Sequence, residues 1–386
     1  MTTLKTKITD CAKSLGFDLV KVTDAKPLPD AEKRLMEILN SGHDSTMVSG
    51  SPEERTAPQR ILPGAKSVVV VAMSYSVKLD RDTDAPHSPD WTSRLNLSRY
   101  AWGQDYHHVL RARLLELADY MKQLVSGTES KVLVDTGPLA EKAVAYKAGI
   151  GVYGWNSCMI TEKWGSWVFL GSIITTLHLE PDLFNPGTCQ QCGRCIKACP
   201  TNAIIAPYII DAERCLSQIT QARGIVPKEF RKPIGKRLFG CDTCQAVCPH
   251  NNEKKIAYGN HEEFFPHPDV GAEPTARSVL SMDNHRFNDT FRHTAAGWRG
   301  RKVLQRNAAI CLGNIGSPAD IPILIETLAD PSEPVRAAAA WALGEISKNA
   351  DDAARALIKE KLFCAKISAA QHNSLRAEID EVLKFL

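Results

Sequence analysis

The sequence predicts a multidomain α+β fold in three parts. Three observations point to it: the length, a block of closely spaced cysteines in the middle, and a duplicated helical segment near the end. With 386 residues the chain exceeds one ordinary domain of about 150. Hydrophobic residues make up 44% and charged residues 24%, the balance of a globular rather than a disordered protein. The net charge of +3 excludes an overall polybasic or polyacidic protein but leaves room for a local basic patch. The longest apolar run, Val68 to Met73, is too short to cross a bilayer, and Met1 to Asp10 lacks the apolar core of an export signal. A reducing cytoplasm is expected on that ground, where twelve cysteines serve metal or redox chemistry rather than disulfides.

Residues 1–183 read as mixed α/β. Leu4, Ile8, Cys11 and Leu15 stand at helical spacing and Gly16 stops that helix. Phe17 to Val22 and Ser67 to Met73 look like strands, the second buried on both faces. Asp30 to Asn40 suits a helix capped near Asp30, and Val109 to Leu124 a long amphipathic one. Lys131 to Val134 forms a short strand leading into Asp135-Thr136-Gly137-Pro138 and a helix from Leu139 to Lys147. Trp167 to Thr175 is another apolar strand. Asp135, at the C-terminal end of a strand, stands where α/β folds place active-site acids, although by itself the residue is better explained as the cap of the next helix. No dinucleotide fingerprint or P-loop occurs in its proper context. Gly149-Ile150-Gly151-Val152-Tyr153-Gly154 follows a helix, and its glycines suit a tight loop near a flat ligand. His107 and His108 fit no zinc spacing.

Residues 184–255 hold eight of the twelve cysteines. Cys189, Cys192, Cys195 and Cys199, followed by Pro200, form the bacterial ferredoxin run for a [4Fe–4S] cluster. Its fourth cysteine serves a second cluster, so a second set is required. Cys241, Cys244 and Cys248, followed by Pro249, supply it, with Cys215 as the missing upstream ligand. By that crossing rule Cys189, Cys192, Cys195 and Cys248 hold one cluster, and Cys199, Cys215, Cys241 and Cys244 the other. Zinc ribbons pair their ligands differently. Cys11, Cys158, Cys311 and Cys364 are expected as small buried residues.

Residues 256–386 contain a repeat. Leu304 to Ile315 returns as Val335 to Ile346, and an apolar helix from Ile321 to Leu328 lies between. Helix pairs at this period are of the HEAT type, stacked scaffolds that bind extended partners. Arg286, Arg292, Arg299, Arg301, Lys302 and Arg306 surround Trp298, with only Asp289 opposing them. A basic face with an aromatic suits a phosphate backbone and a stacked base. A solvated helix end over a core tryptophan suits the same residues.

Taken together the chain resembles the epoxyqueuosine reductases, the cobalamin- and iron–sulfur-dependent enzymes of tRNA queuosine synthesis. The resemblance rests on Arg55 before Ile61-Leu62-Pro63-Gly64-Ala65-Lys66-Ser67, on Asp105-Tyr106-His107, and on Val134-Asp135-Thr136-Gly137-Pro138. It continues through Ala148-Gly149-Ile150-Gly151, Gly165-Ser166-Trp167, Leu179-Glu180-Pro181-Asp182 and the cluster run. Arg214-Cys215-Leu216-Ser217, Gly240-Cys241-Asp242-Thr243-Cys244-Gln245, Gly297-Trp298-Arg299-Gly300 and Gln305-Arg306-Asn307 complete it.

The resemblance implies a flavin-reductase-like α/β cobalamin domain at 1–183, a two-cluster ferredoxin-like module at 184–255, and tRNA-binding HEAT repeats at 256–386. It implies a tRNA carrying epoxyqueuosine in its anticodon loop, an electron donor of unnamed kind, a monomer and no membrane. Asp135 matches the family's proton donor, which overrides the capping reading, and a carboxyl in that role needs its pKa raised by burial. Arg55, Ser98, Asp135, Asn156, Ser157, Ser217, Arg223 and Asp242 match positions of cobalamin contact. Trp298, Arg299, Arg301, Lys302 and Arg306 are assigned to tRNA. Trp155 stands where most relatives have lysine, and Ser172 where an acid is common. No D-x-H-x-x-G motif occurs, so no histidine of the chain is expected as the lower cobalt ligand. Reductive dehalogenases are similar in placing cobalamin beside two clusters, but lack HEAT repeats and a basic collar. A non-catalytic iron–sulfur electron carrier would leave the N-terminal part without a use.

Overall fold

Strand β1 (Leu19–Asp24) pairs antiparallel with β2 (Ser67–Ser74), whose eight residues are all buried. That explains the unbroken valine run: side chains alternate between two faces, and both are covered. In this computed structural model, which describes residues 3–45, 47–78, 93–184, 187–369 and 372–386, the sheet continues through two further strands. They are β3 (Ser130–Leu133) and β4 (Val168–Thr175), and the spatial order is β1-β2-β4-β3, antiparallel throughout.

The chain divides into two units. The first comprises residues 1–78, 104–213 and 243–265; the second 79–103, 214–242 and 266–386. In the first, helix α1 (Leu4–Ser14) starts at Thr3, whose hydroxyl accepts the Thr6 N–H at 3.1 Å. Helix α2 (Pro29–Asn40) departs from expectation, because Asp30 lies inside its first turn and no side chain caps it. There the acid still faces the positive end of the helix dipole. Helix α3 (Pro52–Thr56) opens with a capping box between Ser51 and Glu54. Helix α4 (Tyr106–Leu124) begins three residues before the apolar pattern does, because Asp105 caps it by accepting the His107 N–H at 3.0 Å. Its fully buried Leu110, Leu114, Leu117 and Met121 cover one side of the sheet. Helix α5 (Glu141–Ala148) covers the other, packing Val144, Ala145 and Ala148 against Val68, Val70 and Ala72. The cysteine run carries one short helix, α6 (Arg194–Ala198).

In the second unit, helix α7 (Leu216–Gln221) follows Cys215 directly, and the short strand Arg237–Phe239 pairs in parallel with Asn96–Leu97. The repeats are α8 (Arg301–Ile315), α9 (Ile321–Thr327), α10 (Glu333–Ser347), α11 (Asp352–Ser368) and α12 (Asn373–Leu383). Helix α10 packs on both α8 and α12, the stacking that the sequence duplication requires. Among the described residues no helix is long and apolar enough to cross a membrane.

Candidate functional site

Edge strand β3 ends at Leu133, and the chain then turns sharply, with Asp135 in the left-handed region at φ +52°. The helix after it starts at Glu141 behind Ala140, so Asp135 caps nothing. Its carboxylate instead meets the start of α4. The Tyr106 hydroxyl donates to Asp135 Oδ2 at 2.7 Å, and His107 Nε2 lies 3.4 Å from the same oxygen, an ion-pair separation without hydrogen-bond alignment. On the far side of the imidazole, Nδ1 is 2.7 Å from Asp105 Oδ1. Asp105 therefore both caps α4 and orients the ring. From the opposite direction Glu141 Oε2 accepts the Asp135 N–H at 2.7 Å, while Glu141 Oε1 is buried with no partner among the described residues.

The electrostatics follow from this crowding. Burial alone would lower the His107 pKa, but its carboxylate partners Asp105 and Asp135 outweigh it and push the imidazole up to about 9. His107 in turn holds Asp135 below the ordinary carboxylate range, with help from Tyr106. The expected raised Asp135 pKa is thus not what the structure gives, because a cationic neighbour outweighs burial. The raised carboxyl is Glu141, pushed up to about 8 by burial and by the charge of Asp135. Tyr106 stacks on Phe169 at 4.2 Å, and Phe169 on Tyr75 at 4.3 Å, giving the acid an aromatic floor.

Cys189, Cys192, Cys195 and Cys248 line a single pocket with Gly154, Trp155, Asn156 and Gly193. These are the four thiols that the crossing rule grouped. The Cys248 thiol is pushed up first by burial and then by Cys189, Cys195 and Cys192, charge that an iron cluster would neutralise. Among the described residues no three metal-ligating side chains converge as a single ion requires. Sulfurs spread round a pocket suit a cube with iron at several corners, so the donor set fits a cluster. Cys199 receives the Ala203 N–H at 3.2 Å; its thiol is pulled down because N–H groups of Thr201 and Ala203 outweigh desolvation. Of the scattered cysteines only Cys311 is buried; Cys364 is exposed, against expectation.

The other sequence-assigned residues fall in both units. In the first, the Arg55 carbonyl accepts the Ala140 N–H at 2.7 Å, tying α3 to the Asp135 loop. Asn156 is 4% exposed, and Ser157, at φ +57°, donates its hydroxyl to the Tyr208 carbonyl at 2.9 Å. In the second, Ser98 donates to Asp242, which also accepts the Arg99 N–H at 2.9 Å, and burial pushes the Asp242 carboxyl up. Ser217 presents its carbonyl to Gln221 Nε2 at 2.8 Å.

The expected basic face is smaller than the sequence suggested. Trp298 is 51% exposed rather than in the core, and the Arg299 guanidinium lies 3.6 Å from its ring centroid. Arg223 lies close enough to pull the Arg299 pKa down, although desolvation is the larger cause. Lys302 is paired with Asp330, and Arg301 Nη1 donates to the Met282 carbonyl at 2.7 Å. Arg306 leaves the face altogether: it is 2% exposed, and burial pulls its guanidinium down to about 10. Charge counting could not foresee this, because the carbonyls that hold Arg306 come from residues 219–224.

A family model described as epoxyqueuosine reductase QueG, DUF1730, matches residues 55–136. One for a 4Fe-4S double cluster binding domain matches 188–251, and one for HEAT repeats 299–360. The epoxyqueuosine reductase of Bacillus subtilis (strain 168) is 38% identical over 367 residues, 94% of each chain. The chain belongs to the epoxyqueuosine reductase family. A crystal structure of an epoxyqueuosine reductase with an epoxyqueuosine-modified tRNA-Tyr stem loop is similar at a TM-score of 0.91 and 36% identity, covering 99% of this chain and 98% of that one. The Bacillus subtilis enzyme, solved with its aspartate-bearing catalytic loop swung out of the active site, matches at 0.90 and 35% identity over 99% of both chains.

Family membership makes the surroundings of Asp135 informative. Sequence reasoning picked out the acid but gave no role to Tyr106, His107 or Glu141. Asp105-Tyr106-His107 had already stood out as a family motif, which was the available signal.

Proposed function

We propose that this chain reduces epoxyqueuosine at the wobble position of tRNA to queuosine, in the cytoplasm, with Asp135 as the group that protonates the departing oxygen. Removing the epoxide oxygen breaks two C–O bonds, consumes two electrons and two protons, and leaves an alkene and water. The observation that carries the reading is the placement of Asp135 between Tyr106, His107 and Glu141, in a chain alike over nearly its full length to an enzyme solved with the modified stem loop.

At neutral pH the pair holds one proton to give: His107 is cationic and Asp135 a carboxylate. A departing alkoxide is a far stronger base than either, so His107 gives its Nε2 proton to the Asp135 carboxylate, which hands it on to the oxygen, and solvent supplies the second proton. Asp105 holds the imidazole with Nε2 towards Asp135 throughout.

Cys189, Cys192, Cys195 and Cys248 would hold one [4Fe–4S] cluster and Cys199, Cys215, Cys241 and Cys244 the other, and such clusters would supply electrons one at a time. Cobalamin supplies a two-electron reductant when bound, with Arg55, Ser98, Asn156, Ser157, Ser217, Arg223 and Asp242 as its contacts. Support for that fit comes from buried polar groups, such as Asn156, among glycine-rich turns, and from the buried Glu141 Oε1 beside the Asp135 loop, which has no partner among the described residues. The 1–183, 184–255 and 256–386 division assigns these tasks to successive segments, and the double-cluster and HEAT matches fall inside the last two. RNA is gripped by Trp298 and Arg299, where a phosphate relieves the crowding of Arg299 by Arg223. The chain acts as a monomer fed by an external reductant.

The deciding experiment is mass spectrometry of nucleosides after anaerobic incubation of the reconstituted protein with epoxyqueuosine-bearing tRNA. Conversion to queuosine, lost in Asp135→Asn with both clusters and corrinoid still bound, is the expected result. Conversion at the normal rate by that variant would overturn the role of Asp135.

A further inference from the structure

Arg306 and Asn307, on α8, spend their side-chain hydrogen bonds on one another and on main chain that flanks two cysteines. Arg306 Nη1 donates to the carbonyls of Ala222 at 2.6 Å and Gly224 at 2.8 Å, and Nη2 reaches those of Thr220 and Ile219 at 3.3 and 3.4 Å. Asn307 accepts from Arg306 Nη2 at 2.8 Å and donates through Nδ2 to Thr220 O at 2.7 Å and Leu238 O at 2.8 Å.

These carbonyls belong to two segments. One is α7 and its exit, beginning at Cys215; the other is the strand Arg237–Phe239, which runs into Gly240 and Cys241. Thr220 closes the circuit, because its Oγ1 accepts the Gly240 N–H at 2.9 Å. Gly240 itself, at φ +72°, has no room for a side chain: a Cβ would stand 2.5 Å from that of Ser98. Both cysteine-bearing segments are thus fastened to one another and to one point on the first repeat helix.

We infer that Arg306 and Asn307 are positioning residues for the second cluster, holding the Cys215 and Cys241 segments at the separation its ligation requires. The inference rests on the proposed assignment of Cys215 and Cys241 as ligands. It also explains why a repeat helix places a charged residue at a position buried like its apolar neighbours: a guanidinium fork reaches carbonyls of the last turn of α7 and of the irregular chain that leaves it. The same residues then have no part in gripping RNA.

The test uses full-length protein reconstituted anaerobically with iron and sulfide, with Arg306→Met, Arg306→Lys, Asn307→Leu and Cys215→Ala beside the parent. Parent protein should hold about eight irons and Cys215→Ala about four. Arg306→Met is expected to fall towards about four as well, with the reduced spectrum of a lone cluster and its loss of interaction splitting, while Arg306→Lys recovers part. Binding of the tRNA stem loop should change less than about twofold, since no phosphate contact is removed. If Cys215→Ala keeps its full iron, the ligand assignment fails whatever Arg306 does. If Cys215→Ala loses iron but Arg306→Met and Asn307→Leu keep all of it, the positioning role is overturned. It is equally overturned if the first cluster disappears together with the second, or if stem-loop affinity collapses with both clusters intact. Should Arg306→Met not fold, Asn307→Leu, of nearly the same shape, decides on the same readings.

Discussion

The hydroxyl of Tyr106, at the first position of α4, donates to Asp135 Oδ2 on the loop leaving β3, at 2.7 Å. Two elements distant in sequence are joined at the proposed proton donor. The phenol holds the carboxylate in one rotamer and shares its charge. Removing that hydrogen bond by Tyr106→Phe should slow turnover about tenfold, the usual worth of one hydrogen bond to a charged group. Asp135→Asn should lose at least about a hundredfold, since an amide cannot take the His107 proton and pass it on. Single-turnover rates on epoxyqueuosine-bearing stem loop distinguish the two; equal effects would mean that the phenol acts as more than a support.

In the proposed reaction His107 sets the pH range. Its pKa is raised to about 9 by Asp105 and Asp135. The cation that refills Asp135 is therefore present at neutral pH and is lost as the pH rises through that value. The turnover rate should be level around neutrality and fall above about pH 9. In His107→Asn the rate should be lower throughout and this alkaline limb absent. An unchanged limb in the variant would assign it to another group.

Glu141 affects stability rather than rate. Burial and the charge of Asp135 raise its pKa from 4.5 to about 8. A raised carboxyl favours folding fully below its unfolded value, and that contribution drains away as the pH climbs towards the folded one. Melting temperature should decline between about pH 4.5 and 8 for this reason. Glu141→Gln cannot ionise but can still accept the Asp135 N–H, so its melting curve should be flatter over that window.

On the face proposed to bind RNA, Trp298 donates from Nε1 to Gln221 Oε1 at 3.1 Å, which holds the half-exposed indole in place under Arg299. Trp298→Ala should weaken stem-loop binding by about 1–3 kcal/mol, the range for a stacked base. Arg299→Ala should reduce the salt dependence of binding by about one counterion. Lys302→Ala should change that slope less, because Asp330 already pairs with the ammonium. Fluorescence titration at several salt concentrations measures all three.

How far these features could be read from the sequence depends on the range of the interactions behind them. That Cys248 shares a pocket with Cys189, Cys192 and Cys195 was legible because the ferredoxin run has a local spacing. The repeat was legible because each copy must bury the same face. Gly313 and Gly344 are equivalent positions 31 residues apart. At each, a Cβ would strike a later helix, Trp341 at 2.5 Å or Val382 at 2.7 Å. The pKa order at Asp135 was not legible, since it depends on His107 arriving from another element. Nor was the burial of Arg306: the arginine reads as surface charge until the carbonyls of residues 219–224 are seen around it.

A second buried arginine yields a sharper stability prediction. Arg231 meets Glu378 in a two-bonded fork at 2.7 and 2.9 Å, with side chains only 3% and 6% exposed. Arg231 also donates from Nε to the Val226 carbonyl at 2.9 Å and lies 5.7 Å from the centroid of Trp341. Desolvating two charges offsets much of their attraction, so the pair as a whole adds little net stability. Breaking it is another matter. Glu378→Ala leaves a guanidinium buried without its counter-charge and should cost about 3–5 kcal/mol. Pairing it with Arg231→Met should restore most of that loss, because an apolar chain of similar length fills the space without an orphaned charge. Urea unfolding of the parent, the two single variants and the double variant closes the cycle. A double variant as unstable as Glu378→Ala would show that the bond to Val226 and the contact with Trp341, not the ion pair, are what this arginine contributes.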